Sequence, residues 1–167
     1  MKLFGSSLIA QGIRAAGVGA VLMLSLSASY AQSGPFAGFN GVWSGNGTVA
    51  LSDGTTERIR CKADYKVDGT GLGLKQNLRC ASDSYKFELT TDLHAGDGNF
   101  WGFWKETSRN VNGEIHGTGG NGQFNGRVEA NGYVAELNLT VSGSKQTINI
   151  TSKSTELRGL NISLSKS

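Results

Sequence analysis

The sequence predicts an all-β protein: an antiparallel up-and-down β-barrel of eight to ten strands with one disulfide. A two-sheet β-sandwich is the alternative. Three observations predict it. Apolar and polar side chains alternate with period two over most of the chain beyond residue 40, as strands with one dry and one wet face require. Short clusters of Gly, Asn, Asp and Ser interrupt the alternation at regular intervals, as hairpin turns do. No connection is long enough for a parallel crossover, so successive strands pair as antiparallel neighbours. Closing such a row into a barrel removes its two exposed edges.

The chain begins differently. Lys2 and Arg14 precede an uncharged apolar run, Ala15 to Leu26, followed by Ala28-Ser29-Tyr30-Ala31. This is the pattern of a secretory signal cleaved after Ala31, and the run is too short to span a bilayer comfortably. Residues 1–31 are therefore read as a leader, 32–40 as a linker, and 41–167 as one β domain in the periplasm or outside the cell. Without the leader, 14 basic and 13 acidic residues remain. That near-neutrality removes the large positive field nucleic-acid binding needs.

Gly41 to Leu51 opens the domain, and Ser52-Asp53-Gly54-Thr55 turns it. Asp-Gly tolerates the positive φ of tight turns. Thr56 to Ala81 is the clearest hairpin, with its loop at Asp68 to Gly73. In its first arm Ile59, Cys61, Ala63, Tyr65 and Val67 share one parity, and Arg58, Arg60, Lys62 and Lys66 share the other. Leu74, Leu78 and Cys80 share the dry parity of the second arm, so both cysteines point to the same side. Two cysteines in an exported chain imply one disulfide. Closing that loop stabilises the fold by about 3 kcal/mol on the chain-entropy model.

Tyr85 to Leu93 alternates cleanly, and His94 to Asn99 reads as a Gly-rich loop. Phe100 to Thr107 carries large rings on both parities, so its outer face is covered or adhesive. Val111-Asn112-Gly113-Glu114 reads as an Asn-Gly turn, followed by a short strand, Ile115 to Gly119. Gln123 to Ala130 and Tyr133 to Val141 form a hairpin about Asn131-Gly132. Lys145 to Thr151 and Thr155 to Ser165 complete the count. An outer-membrane barrel shares this alternation, but several strands are short for crossing and aromatic girdles are absent from their ends.

Gly41-Val42-Trp43 resembles the Gly-x-Trp opening strand of calycin-type barrels, the lipocalins and avidins. The longer Gly-x-Trp-x-Gly-x-Gly form is similar to the start of nitrobindin-type haem barrels. The resemblance implies a barrel with an interior ligand, and Arg158 as the late arginine packed across Trp43. His94 and His116 do not match the late haem ligand of nitrobindins, and the closing lipocalin helix is absent. The whole chain is also similar to small exported bacterial proteins.

No catalytic constellation emerges. A Gly-x-Ser-x-Gly elbow is missing, His94 with Asp92 and Asp97 reads as a solvated loop, and nothing sets the separation of Glu106 and Glu114. The cysteines have no histidine at metal-ligand spacing. The expectation is a non-enzymatic binding protein without cofactor or metal. It holds a small apolar or amphipathic ligand against the inward rings Trp43, Tyr65, Phe87, Trp104 and Tyr133. The alternative is an envelope-protein interaction or inhibitor module that uses a surface made of Arg58, Arg60, Lys62, Lys66, Trp101 and Phe103.

Overall fold

The computed structural model describes residues 33–153 and 156–167. The expected leader and its cleavage point lie outside the described residues. The strands are β1 (Gly41–Leu51), β2 (Thr56–Val67), β3 (Gly73–Ala81), β4 (Lys86–Gly96), β5 (Asn99–Glu106), β6 (Val111–Gly120), β7 (Gln123–Ala130), β8 (Tyr133–Ser142), β9 (Lys145–Ser152) and β10 (Leu157–Lys166). Each pairs antiparallel with its neighbours in sequence, and β1 pairs with β10 to close the wall. The barrel and its ten strands are as the alternation predicts.

The alternation also sets which face is inside. Along β2, Ile59, Cys61, Ala63 and Tyr65 are buried while the intervening basic residues are exposed. The apolar parity fills the interior and the charged parity meets solvent, the reverse of a lipid-facing wall. Cys61 and Cys80 sit directly opposite each other on β2 and β3 and form the disulfide. Tight turns at Asp97-Gly98 and Asn121-Gly122 take positive φ at both residues, the geometry that matches strand twist in two-residue hairpins.

Three sequence readings differ from the structure. Residues 33–40 do not behave as a linker: Ala37–Phe39 forms a short 3-10 helix, and Phe36 and Phe39 are 1% and 3% exposed. His94 is not in a loop, because β4 runs on to Gly96. Asn112-Gly113 is not a turn but part of β6, and the chain reverses earlier, with Asn110 at positive φ. Gly113 serves a different purpose. A Cβ there would lie 1.8 Å from the Glu129 carbonyl oxygen, so only glycine allows β7 to approach this closely.

Candidate functional site

The two ends of the barrel differ. At one end Phe36 and Phe39 form a plug. The Phe36 N–H donates to the Gly71 carbonyl at 3.1 Å, tying the plug to the β2–β3 loop. Trp43 Nε1 donates to the Phe39 carbonyl at 2.7 Å from behind it. Phe36 stacks on Phe124 at 5.5 Å, Phe39 packs edge-on against Tyr65 at 5.4 Å, and Phe100 meets Phe124 at 5.9 Å. Gly126 makes room for this cluster, since a Cβ there would lie 2.7 Å from the Phe100 ring. Such rings fill a barrel end and exclude water at little conformational entropy.

Above this floor lies an apolar cavity of about 370 Å³. Leu78, Phe87, Leu89, Ile148 and Leu160 line its walls, and Tyr85, Arg109, Asn131 and Glu156 surround its opposite end. Its size falls within the range of about 300–1,000 Å³ typical of small-molecule sites.

One aromatic wall is rigidly held. Trp104 Nε1 donates to the carbonyls of Glu114 and Glu129 at 3.1 and 3.3 Å, and Tyr133 lies 5.8 Å from its ring. With the indole donor satisfied, the ring presents an apolar surface to the cavity. A narrow polar strip begins beside Trp104, at its cross-strand partner Thr91, and continues through Gln76 and Tyr65 on β3 and β2. Thr91 Oγ1 donates to Gln76 Oε1 at 3.1 Å, and the Tyr65 hydroxyl donates to Gln146 Oε1 at 3.0 Å. Burial pushes the Tyr65 phenol far above its usual pKa, so it stays a neutral donor. Gln146 Nε2 is buried and has no hydrogen-bond partner.

Charge is confined to the mouth. Arg109 stacks on the Tyr85 ring at 4.6 Å. Its backbone N–H donates to Glu106 Oε2 at 2.7 Å, and its guanidinium lies 3.8 Å from the same carboxylate. Burial raises the Glu106 carboxyl, but the backbone N–H groups of Glu88, Ser108 and Arg109 outweigh it, and the net shift is downward. Glu106 is thus ionised at neutral pH and anchors the β5–β6 turn that carries Arg109. Burial raises the phenols of Tyr85 and Tyr133 above their ordinary value.

Of the five rings expected to face a ligand, Tyr65, Phe87, Trp104 and Tyr133 line this cavity, whereas Trp43 lies behind the plug. Phe36, Phe39, Tyr85 and Arg109 were not singled out from sequence. Arg158 does not cover Trp43. It is exposed near the mouth and donates to the Lys153 carbonyl. Lys166, opposite Trp43 in register, places its Nζ 5.4 Å from that ring instead. Arg58, Arg60, Lys62 and Lys66 are exposed on β2. Trp101 and Phe103 are 50% and 66% exposed on β5, separated from β2 by the two strands β3 and β4. His94 faces outward beside Trp101, their rings 6.4 Å apart. Among the described residues no three His, Cys, Asp or Glu side chains gather as a metal site.

The fold is similar to that of a phycobiliprotein lyase. The S-type phycobiliprotein lyase CPES from Guillardia theta superposes with a TM-score of 0.57 over 79% of this chain and 90% of that one, at 8% sequence identity. No family model and no curated protein matches the sequence. At that identity the likeness is one of fold. It agrees with the expectation of a closed antiparallel barrel and corrects another expectation. The expectation of a protein without enzymatic activity rested on the absence of familiar motifs, and a lyase with this fold shows that such a barrel can serve an enzyme.

Proposed function

We propose that the barrel binds one small apolar or amphipathic molecule, admitted at the end where Tyr85, Arg109 and Tyr133 stand. The observation that carries this reading is the apolar cavity, floored by a built plug and charged only at its rim. Transfer of about 200 Å² of apolar ligand surface out of water would contribute about 5 kcal/mol. A polar or anionic end would remain at the mouth beside Arg109, whose guanidinium stacks on Tyr85 and donates to the Lys86 carbonyl. The polar strip of Thr91, Gln76 and Tyr65 would orient a single carbonyl or hydroxyl deeper inside. The leader-like start and the disulfide support work in an oxidising compartment, the periplasm or the exterior.

Titration with an anionic fluorescent naphthalene probe tests this reading. Saturable binding of one probe per chain is expected, weakened about ten-fold or more in Leu137→Trp, whose indole would occupy the cavity. Equal probe binding by Leu137→Trp, or none by the wild type, overturns it.

A further inference from the structure

The outer wall of the barrel has a polar face that the interior site leaves unexplained. Strands β1, β9 and β10 contain no aspartate or glutamate. Among the described residues the ion pairs between strands lie elsewhere, Lys75 with Asp92 and Arg79 with Glu88 across β3 and β4, and Arg127 with Glu136 across β7 and β8. Register across these three strands and their neighbours β2, β8 and β7 places residues in straight rows. One row runs Arg58, Thr48, Asn161, Asn149, Asn138, Asn125 through β2, β1, β10, β9, β8 and β7. The next begins Arg60, Asn46, Ser163, Thr147. With strands about 4.8 Å apart, six positions extend about 24 Å around the wall.

Two features set these rows apart from ordinary solvated strand faces. Asparagine is among the residues depleted in strands, yet four stand side by side on four adjacent strands. Among the described residues no hydrogen bond within the protein engages those four carboxamides, and neither Arg58 nor Arg60 joins an ion pair. Arg58, Arg60, Asn46, Asn149 and Asn161 share one trough. Glu57 and Asp83 lie at its edge, and the Glu57 carboxylate is taken up by the hydroxyls of Ser82 and Ser84.

We infer that this trough binds an anionic oligosaccharide or polysaccharide. Each carboxamide offers both donors and an acceptor, and each Ser or Thr hydroxyl offers both roles. That is the complement of neighbouring sugar hydroxyls. The two unpaired guanidiniums meet carboxylate or phosphate substituents in bidentate geometry. The chemistry disfavours other acidic polymers. A single-stranded nucleic acid needs aromatic platforms for its bases, and these rows contain none. A protein interface gathers aromatic or aliphatic anchors at its centre, whereas the centre of this face is amide and hydroxyl.

The test is an NMR titration of the full β domain that follows the asparagine carboxamide signals. The probes are an oligogalacturonate, its neutral methyl ester, a phosphorylated mannan fragment and inorganic tripolyphosphate. Binding of either anionic sugar is expected, with shifts at Asn149 and Asn161, and the responding sugar identifies the anion. The methyl ester and tripolyphosphate should each bind about ten-fold more weakly. Arg58→Gln/Arg60→Gln and the charge-neutral Asn149→Leu/Asn161→Leu should each lose about ten-fold in affinity, while the naphthalene probe still fills the interior and reports an intact fold. Binding to neither anionic sugar overturns the inference. So does tripolyphosphate binding as tightly as the sugars, or a carboxamide pair that can be altered without effect, because each would mean simple attraction to a positive patch.

Discussion

Phe39→Ala is expected to lower the free energy of unfolding by about 3–5 kcal/mol, the loss typical of a buried phenylalanine. Phe39 is 3% exposed and touches Tyr65, Phe36 and Phe124, and its carbonyl receives the Trp43 indole N–H. The backbone bond survives the substitution, so the loss is one of packing. Because Phe39 also lines the cavity, the void left behind merges with the space above it, and the barrel cannot collapse around a phenyl-sized hole without moving β2 or β7. Chemical denaturation checks this. The midpoint should fall with little change in slope. Phe103→Ala is the control: at 66% exposure on the outer wall, it should stay within about 0.5 kcal/mol of wild type. Equal behaviour of the two variants would mean that residues 33–40 do not plug the barrel.

The second large effect concerns the cross-strand disulfide. Cys61 and Cys80 are 19 positions apart and directly paired across β2 and β3. On the chain-entropy model, restoring the freedom of a loop this size to the unfolded chain costs about 3 kcal/mol. Cys61→Ala/Cys80→Ala should therefore melt about 10 °C lower by calorimetry. The effect acts mainly on the unfolded state, so the naphthalene probe should bind the variant with unchanged affinity below its melting point. A variant that keeps the wild-type melting temperature would show that the hairpin is ordered before oxidation.

Much of this architecture was legible in the sequence, for a physical reason. Strand parity has period two, so a run such as Glu57 to Val67 reveals which side chains share a face before any partner strand is known. The same parity put Cys61 and Cys80 on one face, and with only two cysteines in the chain their pairing was the one disulfide available. What parity cannot reveal is who meets whom across the interior. Whether Tyr65, Phe87, Trp104 and Tyr133 fill a barrel or border a space depends on strand number and stagger. The plug was missed because QSGPFAGFN has the Gly and Pro content of a linker, and two phenylalanines there give no periodic signal. Asn112-Gly113 misled for the opposite reason. Asn-Gly is a strong turn signal, but here Gly113 is needed for close strand approach beneath Trp104. The outer asparagine ladder is a matter of register, so it became visible only once all ten strands were aligned.

The measurement that bears most directly on the central claim is native mass spectrometry of the protein recovered, without denaturation, from the cells that make it. If the cavity above Phe39 is a ligand site, the wild type carries the added mass of one small molecule, and that mass is missing from Leu137→Trp. A bare polypeptide mass for the wild type, together with no uptake of the naphthalene probe, would contradict the account and leave the interior as space without a ligand.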